Sequence, residues 1–198
     1  MKLWSSWYQT SDYARQTNQQ VHVERSKDVV KRFGPLMKDV NSFCELGVGS
    51  GRNIHFFREK YPQWLYFSND INPTIIEQID SIYPGLADKD NVNVEIIDTL
   101  SYLKKLDEMD VFFTHGHLMH LPHDVINEVC SLIAKKSRKH ILIMEAGKSS
   151  RKVSWFKRWK YRKYRFERDY SDMFPGWALK KKEAVDDKST LYFFEPQK

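Results

Sequence analysis

The chain has 198 residues, 41% of them hydrophobic, a net charge of +6 and a pI of about 9.1. That length builds a single domain, 1–198, with a core of its own, and that apolar share excludes a disordered tail. Cys44 and Cys130 lie far apart in apolar runs, no stretch is long enough to cross a bilayer, and residues 1–7 lack a signal-peptide layout, so a disulfide scaffold is excluded and a cytoplasmic protein expected.

Residues 1–35 read as a polar helical segment carrying Trp4, Trp7, Tyr8 and Tyr13. Within it Val21, Val23, Val29, Val30 and Phe33 mark an amphipathic helix that Gly34-Pro35 ends. From residue 42 short apolar runs alternate with helical patterns. Strands are predicted at 42–47, 65–70, 92–97, 109–114 and 140–144. Helices are predicted at 53–60, from Asn72-Pro73 onward with Asn72 as N-cap, at 101–106 and at 122–136. The β-α-β-α order predicts an α/β protein with a doubly wound, mostly parallel sheet, helices on both faces. Two final strand-like runs, 177–185 and 190–195, joined by Asp186-Asp187-Lys188, predict a hairpin.

Gly47-Val48-Gly49-Ser50-Gly51 joins the first strand to the first helix of this core. Glycines there let backbone N–H groups approach a ligand closely, at the N-terminus of a helix. The spacing departs from the dinucleotide fingerprint, G-x-G-x-x-G. Glu45, before the first glycine, suits a ligand bearing an ammonium group rather than a pyrophosphate. Asp70 closes the next strand, where a carboxylate can accept two hydrogen bonds from a ribose diol.

Glu45 to Asn53 resembles motif I of the class I S-adenosylmethionine-dependent methyltransferases, and Asp70-Ile71-Asn72-Pro73 resembles their second motif. The resemblance covers roughly residues 40–146 and implies a Rossmann-like sheet of seven strands ending in an antiparallel hairpin, with S-adenosyl-L-methionine as cofactor. The cofactor-contacting residues it implies are Glu45, Gly47, Gly49, Gly51 and Asn53, then Asp70 and Ile71, then Asp98 and Thr99 past the third strand, and His115. Residues 1–35 are expected to form a lid, with Tyr13 and Arg15 either touching the methionyl carboxylate or simply packed and solvated.

Methyl transfer to a hydroxyl requires a proton acceptor. The fourth strand runs into His115, His117, His120 and His123. No cysteine lies nearby and the spacing fits no zinc pattern, so no metal is expected. His120 and His117 are the candidate bases; each is equally well read as a packing or capping histidine. The stretch lacks the Asn/Asp-Pro-Pro-aromatic motif that many nucleobase amine methylases carry. Glu145, closing the fifth strand, either binds an acceptor hydroxyl or is an ordinary strand-end carboxylate.

His117 to Pro122, the strand His140 to Glu145, Phe166 to Tyr170 and Leu191 to Glu195 are loosely similar to methylases of pseudaminic acid and other surface-glycan pathways. That similarity implies O-methylation of a sugar hydroxyl in a glycan or activated sugar. Residues 147–198 hold a basic stretch and the hairpin. In 148–168 cations interleave with Trp155, Phe156, Trp159, Tyr161, Tyr164 and Phe166. The stretch reads as a surface helix, a sugar platform or, in the alternative of an RNA methyltransferase, a nucleic-acid footprint.

Overall fold

The computed structural model describes residues 20–146, 166, 168–185 and 189–197. The elements in chain order are α1 (Gln20–Phe33), a 3-10 turn (Gly34–Leu36), β1 (Ser42–Leu46), α2 (Arg52–Lys60), β2 (Leu65–Asp70), α3 (Ile75–Ile82), β3 (Val92–Ile96) and α4 (Thr99–Lys105). They continue with β4 (Met109–His115), a 3-10 turn (Leu118–His120), α5 (His123–Lys136), β5 (Ser137–Ala146), β6 (Trp177–Ala184) and β7 (Ser189–Pro196). The strands form a seven-stranded sheet in the order β3-β2-β1-β4-β5-β7-β6. β1 with β2, β2 with β3 and β4 with β5 are parallel; β7 is antiparallel to both β5 and β6. The mostly parallel sheet with a closing antiparallel hairpin is the architecture expected from the sequence.

The chain divides into two compact units, Met1–Lys105 and Leu106–Lys198. In the first, β1 is buried along its whole length, as its run Ser-Phe-Cys-Glu-Leu requires of a strand covered on both faces. Phe43 packs on Phe57 at 4.6 Å and Tyr66 at 5.7 Å between ring centroids, and Tyr61 stacks on Trp64 at 4.2 Å. Such pairs add about 0.5–1.5 kcal/mol each beyond their burial. In the second unit Phe112, Phe113, Ile141, Leu142, Ile143, Tyr192 and Phe194 form the core. Trp177 buries its ring there and donates Nε1–H to the Ala134 carbonyl at 2.9 Å.

Among the boundaries that differ from the sequence reading, two do so for identifiable physical reasons. β5 starts at Ser137, not His140: Ser137 pairs with Met109, and buried Asp110 lies 3.1 Å from Arg138 and 3.7 Å from Lys139. Charged residues therefore continue a strand that the apolar pattern alone would begin later. α3 starts at Ile75 with Thr74, not Asn72, as the preceding cap residue. Asn72 folds a turn instead, accepting the Thr74 N–H at 3.0 Å on its Oδ1. The predicted hairpin turn at 186–188 lies outside the described residues.

Candidate functional site

The first unit builds its site on the β1–α2 turn. Gly47, Gly49 and Gly51 have φ of 72°, 53° and 75°, a left-handed region that residues with a Cβ rarely adopt. A Cβ on Gly51 would also lie 3.1 Å from Ile79 Cγ2. Two residues at the end of β2 hold this turn. The Val48 N–H is donated to the Asn69 carbonyl at 2.9 Å, and the Gly49 N–H to Asp70 Oδ2 at 3.1 Å. Asp70 Oδ1 accepts the Asn72 N–H at 3.0 Å. Burial pushes the Asp70 carboxyl above its ordinary value, against these N–H bonds. The N–H groups aimed at the oxygens still leave lone pairs for a diol.

Asn69, which sequence reasoning missed, is fully buried and donates Nδ2–H to the Ile97 carbonyl at 3.0 Å and to Thr99 Oγ1 at 3.2 Å. It thus ties the predicted residue Thr99 to β2. Asp98 caps α4 by accepting the Ser101 N–H at 3.0 Å. Burial raises its pKa, but hydrogen bonds from Ser101 and from the Leu100 and Asp98 backbone together hold it below the ordinary value. Ile71 is 50% exposed, an apolar surface directly after Asp70.

Glu45 lies in the middle of this unit's buried polar groups. Its Oε1 accepts from Asn53 Nδ2 at 2.6 Å, while its buried Oε2 has no hydrogen-bond partner among the described residues. Burial pushes the carboxyl up to about 8, moderated by Asn53, Arg52 and the Ile54 N–H. Ser50 Oγ is a second buried polar atom without such a partner. An orphaned acceptor of this kind costs about 1–3 kcal/mol until a ligand or solvent satisfies it. The turn, Asp70, Ile71 and the orphaned Glu45 oxygen provide, in one unit, groups suited to an ammonium, a ribose and an apolar base.

The second unit carries the histidines. Among the described residues four donors meet Glu145: Thr114 Oγ1 at 3.0 Å, the His117 and Leu118 N–H groups at 2.9 Å each, and the Met119 N–H at 3.2 Å. Oε1 takes three of these donors and Oε2 one, so Glu145 anchors the start of the turn Leu118–His120. Burial raises its pKa against the four bonds. From the carbonyl side, Arg168 donates Nη1–H to Leu118 O at 3.0 Å and Nη2–H to Leu121 O at 2.7 Å. Arg168 lies in the Phe166 to Tyr170 element singled out above, but nothing local in that element marks it as a clamp. Gly116, at φ 68°, makes the bend after His115, which closes β4 half-buried with its ring 6.3 Å from Phe113.

Burial, with a further push from His120, lowers the His117 pKa to about 3. His117 is therefore neutral and a weak proton acceptor near pH 7. His120 ends the 3-10 turn and keeps part of its surface. Among the described residues no group of three or more His, Cys, Asp or Glu is placed to hold a metal ion. No helix among them is long and apolar enough to cross a membrane. Tyr13, Arg15 and all of the basic stretch except Phe166 and Arg168 lie outside the described residues.

No protein-family model and no curated protein sequence matches the chain. Solved structures do. The magnesium protoporphyrin IX methyltransferase ChlM of Synechocystis PCC 6803, with bound SAH, superimposes with a TM-score of 0.72 at 12% identity, over 99% of both chains. The chain has the fold of a methyltransferase. The N-methyltransferase NodS of Bradyrhizobium japonicum, in complex with S-adenosyl-L-homocysteine, gives a TM-score of 0.71 at 13% identity, over 96% of this chain and 95% of that one. The mitomycin 7-O-methyltransferase MmcR gives 0.69 at 13% identity, over 89% of this chain and 54% of that one, so this chain spans about half of MmcR.

Proposed function

We propose that this chain is an S-adenosyl-L-methionine-dependent methyltransferase acting on a hydroxyl acceptor. The observation that carries the reading is the β1–α2 turn. Its three glycines are left-handed, its Val48 and Gly49 N–H groups are held by Asn69 and Asp70, and Glu45, which precedes it, has a buried oxygen without a hydrogen-bond partner among the described residues. Glu45 holds the cofactor's ammonium, Asp70 its ribose diol, and Ile71, Asp98 and Thr99 flank its adenine. Tyr13 and Arg15 are assigned to the methionyl carboxylate. The bound cofactor supplies an electrophilic methyl group on a sulfonium, a good leaving group.

In this reading the protein must supply alignment and a proton acceptor. His120 takes the proton of the acceptor hydroxyl. The low basicity of His117 favours His120 over it. Glu145 and Arg168 hold the turn that carries the base. His115, which closes β4, is assigned as a further contact for the cofactor.

The acceptor is a sugar hydroxyl of a glycan or activated sugar. Supporting this are the loose similarity to surface-glycan methylases and the segment 148–165, whose many lysines and arginines are interrupted by aromatics and by no Asp or Glu. Such a composition suits the phosphates of an activated sugar. The same composition favours a second reading, an RNA methyltransferase, whose binding would fall steeply with salt. Transfer of labelled methyl from S-adenosyl-L-methionine to deoxysugar glycosides, nucleotide-linked sugars and RNAs separates the two. Label in the sugars alone is expected; label in RNA alone selects the second reading.

A further inference from the structure

Four buried side chains in the first unit form a relay with one direction. Arg52 has only donors, and its Nε–H is given to Ser26 Oγ at 3.1 Å. The Ser26 hydroxyl hydrogen must therefore go elsewhere. Two acceptors are in reach, Asn53 Oδ1 at 2.6 Å and the His22 carbonyl at 3.2 Å, and the shorter contact is with Asn53. Asn53 is then held with Oδ1 toward α1 and Nδ2 toward β1, where it donates to Glu45 Oε1 at 2.6 Å. With Glu45 ionised, as an ammonium at Oε2 would make it, the reversed amide would set an oxygen against a carboxylate oxygen.

The relay starts on a group that only donates and ends on one that, when ionised, only accepts, so every link is polarised the same way. Oε1 is filled, and Oε2 is left as the atom facing no donor among the described residues.

We infer that Ser26 of α1 is a positioning residue for the cofactor's ammonium group, acting through Asn53 on Glu45. The inference rests on the methyltransferase reading above. Without the hydroxyl, Asn53 loses its hydrogen bond to Ser26 of α1, and the amide that fills Glu45 Oε1 is held less firmly. The raised Glu45 pKa is consistent with a carboxylate that awaits a cation.

Calorimetric titration with two probes tests it. S-adenosyl-L-homocysteine carries the ammonium; 5′-methylthioadenosine lacks the amino-acid end. Ser26→Ala is expected to weaken the first about tenfold and leave the second within about twofold. In a Glu45→Gln background Ser26→Ala is expected to change neither. An unchanged S-adenosyl-L-homocysteine affinity in Ser26→Ala overturns the inference. So does an equal loss for both probes, or a loss that persists in Glu45→Gln. Wild-type protein that binds neither probe sinks the methyltransferase reading itself, a distinct result.

Discussion

Glu145 Oε1 accepts the backbone N–H of His117 at 2.9 Å, so a carboxylate at the end of β5 fixes where the histidine-bearing turn begins. Glu145→Ala removes a buried acceptor from three N–H groups and one hydroxyl. The expected cost is about 3 kcal/mol of unfolding free energy, because the donors stay buried without their partner. Glu145→Gln, which keeps one acceptor oxygen, should lose less. Urea unfolding of the three proteins checks the order; equal stability of Glu145→Ala and wild type contradicts it.

Glu45 links cofactor binding to protons. With its carboxyl near 8, the free protein holds that proton at neutral pH, and an ammonium at Oε2 expels it. Binding of S-adenosyl-L-homocysteine should release about one proton below pH 8, and affinity should rise as pH climbs toward that value. Calorimetry in buffers of different ionisation heat reads the release. Glu45→Gln should abolish it; release unchanged in that variant would show that the proton comes from another group.

The same group gives a sign for stability. A carboxyl raised from 4.5 to about 8 binds more protons folded than unfolded between those values. Its contribution is fully present below its unfolded pKa and is lost as pH rises through its folded one. Glu45→Gln should therefore flatten the fall in stability between about pH 5 and 8, measured by denaturant titration at each pH. An identical slope in wild type and variant counts against the assignment.

The two candidate bases should separate. His120→Ala is expected to lower methyl transfer by about 10²–10⁴-fold, the range of a lost general base. His117→Ala should cost much less turnover, since a ring with a pKa near 3 carries little basicity at pH 7. Single-turnover transfer to the acceptor found by the labelled-methyl screen reads both. A larger loss in His117→Ala would reverse the assignment.

Gly51→Ala adds a Cβ at φ 75° and 3.1 Å from Ile79 Cγ2. Left-handed strain of about 1–2 kcal/mol is expected, on top of any shift of α3. Urea unfolding should show that loss together with weaker binding of S-adenosyl-L-homocysteine. A variant as stable as wild type would mean that the turn relaxes to another shape.

What the sequence made legible follows from what is local. Gly47, Gly49 and Gly51 stand out because a turn with three left-handed residues tolerates little else, and Asp70 because a strand end exposes its carboxylate to the turn. The partners of Glu45 were hidden: Ser26 meets Asn53 across 27 positions, a consequence of how α1 packs and not of any pattern within it. The clamp on the histidine turn was hidden for two reasons. Arg168 reaches Leu118 across 50 positions, and the groups held by Glu145 and Arg168 are mostly backbone, which a sequence does not distinguish. Asn72 was expected to start α3, but its Oδ1 accepts the Thr74 N–H in a turn that precedes the helix, which begins only at Ile75.

The most direct measurement is calorimetric titration of wild type and Asp70→Ala with S-adenosyl-L-homocysteine. The expected result is one site per chain in the wild type and a loss of binding when the carboxylate closing β2 is removed. No heat from the wild type, or equal affinity in the two proteins, would contradict an adenosyl ligand seated on the glycine turn.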